Sequence, residues 1–409
     1  MSLRQVTIVG GSVAGLGVAQ ALRRRGFDGT ITVLDGDPEP AIQRPALSKR
    51  FLTNGLSAQD IRLHADLDGI DLRLGVRATG FSLPDRILRL RHHERSSDEL
   101  VRVDGLAIAT GAQARTLPLP PLRGVHVLRT LADAEALRAE LSRRPRIAIL
   151  GGGFVGSEVA SSCRALGLEV TLLEAEPGPM SRVLGAAVGQ VLAAVHRDHG
   201  THVMAGARVV GLTGEQHVEG VRLADGQIVS ADVVLIAVGA RPAVDWLADS
   251  GLDLADGVRC GGDLTVAGGV VAVGDIARWS SSRGGDMRVE HWENAVRQAE
   301  VAAESLLDPG RGRRFDATTM VWSDQYDCKL QLIGHPQPGD EFSVIEGSLE
   351  ERRFVGLYAA GGRVRAALLC NQPHRIRAYR GMVESAAALP LAAGGMERAS
   401  VPVKADAVH

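Results

Sequence analysis

Cysteine is scarce in this chain. Only Cys163, Cys260, Cys328 and Cys370 occur in 409 residues, with no C-x-x-C pair and no metal-ligand spacing. That excludes a zinc scaffold and a thioredoxin-type redox motif, and no metal site is expected. Aromatic residues make up 3% of the chain, so each tryptophan is worth locating. Charge of either sign is nearly balanced at a net −2, which gives no overall case for binding nucleic acid or a membrane surface. No apolar run approaches the ~20 residues needed to span a bilayer. The N-terminus lacks a charged-then-apolar signal region, since Val6 to Val9 is only a strand's length. A soluble cytoplasmic protein is the simplest expectation. Its 409 residues exceed what one core holds and imply two or three domains.

Glycine, by contrast, is abundant at 49 residues, as suits an α/β protein with many tight strand–helix turns. The densest use of it follows the apolar run Ile147 to Leu150, which reads as a buried parallel strand. Gly151-x-Gly153-x-x-Gly156 comes next, with Phe154 and Val155 between the last two glycines. Val155, Val159, Cys163 and Leu166 then recur at helical spacing, so Cys163 is expected as a packed core thiol. Each glycine has its own task. Gly151 makes the turn, Gly153 lets backbone approach a pyrophosphate, and Gly156 lets helix pack on strand. The helix N-terminus offers unpaired N–H groups to the phosphates. Eighteen residues past Gly156, the strand Val170 to Leu173 ends in Glu174, placed to accept hydrogen bonds from an adenosine ribose.

The chain opens on a second copy of this unit. Val6 to Val9 forms a strand, Gly10-Gly11-Ser12-Val13-Ala14-Gly15 the turn, and Ala14, Val18, Ala21 and Leu22 the inward side of a helix. The strand Thr30 to Leu34 ends at Asp35, followed by Gly36. Ser12 replaces the middle glycine, and its hydroxyl can itself donate to a phosphate. Two fingerprints that both keep a terminal acid imply two dinucleotides.

Other segments punctuate the fold. Arg44-Pro45 precedes an expected helix start at Ser48, and Leu106-Ala107-Ile108-Ala109-Thr110-Gly111 is a strand ending in Thr-Gly. His92 and His93, set among charges between Arg91 and Asp98, read as a solvated hairpin turn rather than metal ligands. Ala231 to Gly239 is another strand closed by glycine. Gly269 to Asp275 is a buried strand whose terminal Gly274-Asp275 points a carboxylate out of the sheet's carboxyl edge. Arg288-Val289-Glu290-His291-Trp292 leads into a helix carrying Ala295, Ala299 and Ala302. From Thr318 the pattern becomes alternating strands, closed by a helix from Arg375 to Ala387 and a covering tail over the last twenty residues. The expected fold is α/β, with two nested Rossmann-like dinucleotide-binding domains and a C-terminal α+β domain built on an antiparallel sheet.

These residues together resemble the flavin-dependent ferredoxin reductases of bacterial oxygenase systems, in the glutathione-reductase-like superfamily. The resemblance covers essentially the whole chain and is most specific at Arg44 to Lys49, Ala272 to Asp275, Arg288 to Trp292, and Trp322-Ser323-Asp324-Gln325-Tyr326. It implies an FAD domain (1–112 and 239–317) split by an NAD domain (113–238) and followed by an interface domain (318–409). By the same resemblance Gly10, Ser12, Val13, Ala14 and Gly15 line the FAD pyrophosphate, with Asp35 and Gly36 at the ribose. Ala78 and Arg129 lie on the adenine side. Lys49 sits by flavin N5, Asp275 on the ribityl chain and Trp292 by the ring, with Arg44, Ala109, Thr110, Gly111, Gly274, Glu290 and His291 also about the flavin. Gly151, Gly153, Phe154, Val155, Gly156, Glu158, Glu174 and Gly239 take NAD. The chain departs from the family in having Ile42-Gln43 where Tyr-Asp is usual, and Gln372 where an Arg commonly precedes Pro373.

The implied reaction is hydride transfer from NADH to flavin N5, with electrons then released singly to an iron–sulfur ferredoxin that feeds a Rieske-type or haem-thiolate oxygenase. Lys49 and Glu158 carry the catalytic expectation: Lys49 stabilises charge on the reduced flavin, and Glu158 pairs with it or holds the carboxamide. Glu174 is followed by Ala175-Glu176-Pro177 without an arginine, which favours NADH over NADPH. Seven arginines between Arg352 and Arg380, with no acid among them, suggest a face that steers an acidic ferredoxin, with Trp322 near the electron exit. Two rival readings make demands that the sequence does not meet. A disulfide reductase or peroxide-reducing NADH oxidase needs a cysteine facing the flavin, and residues 36–60 contain none. A regulatory flavoprotein resembling the apoptosis-inducing ones needs a basic face and a targeting segment. An enzyme using a rubredoxin or small acceptor also fits, as does either a monomer or a homodimer.

Overall fold

The computed structural model describes residues 3–93, 97–282 and 285–390, and the backbone of 398–400. The chain folds as two compact units, each made of discontinuous segments. The first comprises 1–43, 61–113 and 240–319, the second 44–60, 114–239 and 320–409.

The first unit is organised by a six-stranded sheet in the order Thr265–Ala267, Val270–Ala272, Gly105–Ile108, Gln5–Val9, Thr30–Leu34, Ile70–Arg73. All pairings are parallel except at the Thr265–Ala267 edge. The chain leaves Gln5–Val9 first to one side and later returns to the other. A crevice therefore opens at that strand's carboxyl end, beside the first glycine loop. The helix Val13–Arg24 buries Ala14, Val18, Ala21 and Leu22 as its spacing requires. It lies against the helix Trp292–Leu307 so closely that a Cβ on Gly17 would stand 2.8 Å from that of Ala299. The hairpin expected around His92 and His93 joins Ile87–His92 to Glu99–Arg102, although residues 94–96 lie outside the described residues.

The second unit repeats the plan with five parallel strands: His202–Ala205, Val170–Glu174, Ile147–Leu150, Val233–Ile236 and Val125–His126. Ile147–Leu150 is again the strand where connections change side. Residues 44–60 belong here, held by Phe51, which is fully buried beneath the Arg138 guanidinium at 4.3 Å. Ser162 Oγ also donates to Ser48 O at 2.7 Å. The C-terminal sheet is antiparallel, in the order Met320–Gln325, Cys328–Gly334, Arg363–Cys370, Arg353–Ala360, Glu341–Ser348, Arg398–Ser400. Met180, Leu184, Val188, Leu192 and Val195 pack on one of its faces with Phe342, Phe354 and Tyr358, and the Tyr358 hydroxyl donates to Leu184 O at 2.9 Å. The closing helix, Ile376–Glu384, is shorter than its sequence pattern: a 3-10 turn, Pro373–Arg375, takes its expected first residue, and at the other end the chain leaves the helix through Ala386 at φ +44°. Of the covering tail, only residue 390 and the backbone of 398–400 are described.

Two expectations are corrected. Ser48 does not start a helix; it lies inside a π-helical turn, Leu47–Phe51, preceded by a 3-10 turn at Arg44–Ala46. Val155 was expected on the inward stripe and is 39% exposed; the buried side of its helix runs instead through Gly156, Ser157, Glu158, Val159, Ala160, Ser162 and Cys163.

Candidate functional site

The two glycine loops share one geometry. Gly10 and Gly151 adopt φ of +110° and +101°, a conformation that side chains resist. A Cβ on Gly15 would stand 1.9 Å from Gly10 O, and one on Gly156 would stand 1.9 Å from Gly151 O. Both third glycines are therefore obligatory for the helix to close on its turn. The middle position is different: a Cβ at Gly153 would meet nothing within 4 Å, so nothing in the protein fills the space above it. Ser12 stands at the matching point of the first loop, as the residue before its helix with extended backbone. Replacing glycine there has left the turn intact.

Each terminal acid closes its loop. Asp35 accepts from Gly11 N at 2.8 Å and from Asp37 N at 2.9 Å. Glu174 accepts from Gly152 N at 2.6 Å and from Glu176 N at 2.9 Å. Each carboxylate oxygen has more than one acceptor site, so these bonds orient the acid and leave capacity for hydroxyl donors. Gly36 follows Asp35, and a Cβ on it would meet the Arg77 guanidinium at 3.3 Å; Val76 N donates to Asp35 O at 2.8 Å, and Ala78, on the same strand Val76–Ser82, is buried.

The remaining expected residues of the first unit are braced by neighbours, and of these Gln298, Asn294, Ala243 and Trp246 were not singled out by the sequence pattern. Gly274 N donates to the buried Gln298 Oε1 at 2.8 Å, and its φ is +79°. Arg288 reaches Asp275 O at 3.1 Å and Glu290 at 2.6 Å, while the buried Asn294 donates to Val289 O at 3.0 Å. The stretch carrying Glu290, His291 and Trp292 is thereby tied to the Gly274–Asp275 turn. After the buried Ala109, Thr110 Oγ1 donates to Ala243 O at 3.0 Å and accepts from Trp246 Nε1 at 3.3 Å, while Gly111 O accepts from Ala243 N at 2.9 Å.

In the second unit Lys49 Nζ lies 2.8 Å from Glu158 Oε2, with side chains 19% and 6% exposed. Glu158 also accepts from Ser48 Oγ, and from Ser323 Oγ at 2.8 Å. Gln325 Nε2 donates in turn to Ser323 Oγ at 3.2 Å. Lys49 has a second acceptor in Pro45 O at 3.2 Å, and its own backbone is non-helical at φ −117°, ψ −117°. Trp322-Ser323-Asp324-Gln325-Tyr326 is thus, first of all, a clamp: Ser323 holds Glu158, and Tyr326 N donates to Ser161 Oγ at 2.7 Å on the same helix. Trp322 itself is half-buried. Arg44 stands on the 3-10 turn before Lys49, and Arg129 just before the Leu131–Leu141 helix. The strand expected to run to Gly239 stops at Ile236; Gly239, three residues on, adopts φ +102°, its oxygen accepting from Arg115 N at 2.9 Å. Cys163 is fully buried, and burial pushes its thiol up to about 12.

A chain with two such loops, each closed by its own acid, has the fold of an oxidoreductase that binds two dinucleotides. Residues 4–299 match the pyridine nucleotide-disulphide oxidoreductase model, and residues 320–401 match the reductase C-terminal model. The chain is 34% identical over 390 residues to the ferredoxin reductase component of a chlorobenzene dioxygenase from Cupriavidus sp., covering 94% of this chain and 93% of that one. It is 33% identical over 388 residues to the ferredoxin–NAD(+) reductase subunit of a benzene 1,2-dioxygenase system from Pseudomonas putida, covering 93% and 92%. A structure of the covalent putidaredoxin reductase–putidaredoxin complex matches with a TM-score of 0.87 at 29% identity, covering 94% of each chain. The chain belongs to the pyridine nucleotide-disulphide oxidoreductase family, and within it to the ferredoxin reductases.

Proposed function

We propose that this protein is the NADH-dependent, FAD-containing reductase that supplies single electrons to an iron–sulfur ferredoxin of a Rieske-type or haem-thiolate oxygenase system. The observation that carries this reading is the pair of equivalent glycine loops, each locked to its own carboxylate, in a chain related over nearly its whole length to ferredoxin reductases. Bound FAD supplies the chemistry, accepting a hydride from NADH and returning electrons one at a time. The chain supplies position and charge. Gly10 to Gly15 and Gly151 to Gly156 present N–H groups to the two pyrophosphates, Asp35 and Glu174 accept ribose hydroxyls, and the Gly274–Asp275 turn holds the ribityl chain. Lys49 places an ammonium at flavin N5 that Glu158, Ser48 and Ser323 keep in one position.

Residues 1–112 and 239–317 are read as the FAD domain, 113–238 as the NAD domain and 318–409 as the interface domain. No described helix is long and apolar enough to cross a membrane. A cytoplasmic setting, as either monomer or homodimer, is part of the proposal. Anaerobic titration tests the reading: one equivalent of NADH should bleach the flavin absorbance, and the reduced protein should reduce a [2Fe–2S] ferredoxin. A flavin that NADH leaves oxidised refutes it.

A further inference from the structure

The Cys328 and Cys370 thiols lie outside every element of the proposed site, yet their sulfurs stand 3.1 Å apart. Both are buried, 2% and 1% exposed, on one face of the antiparallel pair Cys328–Gly334 and Arg363–Cys370. Cys370 is in register with Leu330, so Cys328 is its diagonal neighbour, two residues back on the same face. We propose that these two cysteines are an oxidisable pair that closes to a disulfide on exposure to a peroxide and staples the hairpin bracing Glu158. A disulfide sulfur separation of ~2.05 Å requires the two to close by about 1 Å. That movement falls at an end of the sheet. Cys328 follows the Tyr326–Asp327 turn, and after Cys370 the chain leaves the ladder through Asn371 at φ +53°.

The local chemistry gives the pair a direction. A hydrogen bond from Cys370 draws the Cys328 thiol below its ordinary range, and the Arg352 guanidinium adds to this, whereas Cys370 is pushed up. The Cys370 proton has a second acceptor in Arg352 O at 3.1 Å. Cys328 is accordingly the thiol set to react first, through its ionised form, the proton it sheds joining the hydroxide from the peroxide as water. Its sulfur takes one oxygen from hydrogen peroxide, giving a sulfenic acid and hydroxide. The Cys370 sulfur then displaces the sulfenic oxygen, and the S–S bond forms as water leaves. In sum, two thiols and one peroxide give one disulfide and two waters; the sulfurs lose two electrons and the peroxide O–O bond gains them. The two remaining cysteines are internal controls, for burial pushes both Cys163 and Cys260 up to about 12, away from the thiolate form that reacts.

The hairpin so stapled carries Ser323 and Gln325 on its first strand and Cys328 at the start of its second. Disulfide formation therefore ties the support of Glu158 to the strand Arg363–Cys370, closing a long loop. The test uses the purified full-length flavoprotein, treated with a modest molar excess of hydrogen peroxide and then alkylated under denaturing conditions. Titratable thiols are expected to fall from four to two, with the mass of two hydrogens lost. Non-reducing peptide mapping should then link Cys328 to Cys370, and dithiothreitol should reverse the change. Cys328→Ser and Cys370→Ser should each abolish the linked peptide. Oxidation should also raise the melting temperature by several degrees, reversibly. Retention of all four thiols overturns the proposal, as does a linkage through Cys163 or Cys260, or sulfinic acid on Cys328 without a linked peptide. A disulfide that forms without moving the melting temperature overturns the stapling role.

Discussion

Replacing Lys49 by methionine isolates what the buried ion pair contributes. The substitution keeps most of the side-chain volume and removes the charge that faces Glu158 at 2.8 Å. Glu158 would retain Ser48 and Ser323 as donors, but a carboxylate 6% exposed would have no counter-charge. Breaking a buried pair from one side costs ~3–5 kcal/mol, and the partial exposure of Lys49 argues for the lower end, about 3 kcal/mol. For a folding unit of ~150–250 residues, that corresponds to a loss of roughly 6–12 °C in melting temperature. Glu158→Gln is the milder change, costing about 1–2 kcal/mol, because Lys49 is 19% exposed and keeps Pro45 O as an acceptor. The double variant should be more stable than the sum of the two losses predicts, by at least about 1.5 kcal/mol. Scanning calorimetry of all four proteins gives the cycle. Equal single losses that simply add would refute the idea that a desolvated pair sits here. Kinetics supply the other half: rapid mixing of Lys49→Met with NADH should show flavin reduction slowed about 10²-fold, with FAD affinity changed far less. An unchanged rate would make Lys49 a structural residue only.

Glu174 should set coenzyme choice, with NADH preferred over NADPH by at least about tenfold in kcat/KM, or ~1.4 kcal/mol; equal use of NADPH in steady-state assays would sink that role. Asp275→Ala should weaken FAD retention on gel filtration, and full flavin occupancy in the variant would contradict the ribityl assignment. Burial holds the fully buried His196 imidazole down at about 4, against ~6.5 in an unfolded chain. Between those pH values the unfolded chain binds a proton that the folded one does not. Stability should therefore fall as pH drops through this window, by up to about 3 kcal/mol. A His196→Gln variant whose melting temperature has the same pH slope would rule this out. The arginine-rich C-terminal face is more neutralised than its sequence suggests, since Arg352, Arg365 and Arg375 pair with Asp198, Asp340 and Glu346. Arg377 is exposed, so Arg377→Glu should raise the KM for an acidic ferredoxin and flatten its salt dependence more than Arg375→Glu. A quinone acceptor should be reduced equally by both variants and parent, and an unaltered ferredoxin salt slope would remove Arg377 from the docking face.

The strand, glycine turn, helix and terminal acid of both fingerprints were legible in the sequence because every requirement there is local. A positive φ at Gly10 or Gly151, no room for a Cβ at Gly15 or Gly156, and an acid at the next strand's end are conditions on neighbours in the chain. Even Ser12 could be read as a tolerable exception, since it stands where the second loop has open space at Gly153.

Tertiary structure alone decided what surrounds Lys49 and Glu158. Ser48 and Ser323 meet Glu158 from 110 and 165 residues away; both lie in stretches that carry the family resemblance, but neither stretch by itself shows the partner. The same holds for Gln298, which reaches back to Gly274, and for Gln325, whose amide supports Ser323. The pairing of Arg375 with Glu346 and the 3.1 Å approach of Cys328 to Cys370 likewise depend on which strands and turns are neighbours. Val155 shows the limit from the other side: it fits the apolar spacing of its helix, yet it is exposed while its polar neighbours Ser157 and Glu158 are buried. Periodicity reports which face of an element is apolar. Whether a polar residue is buried, and against what, is fixed only when distant segments pack and desolvate it together.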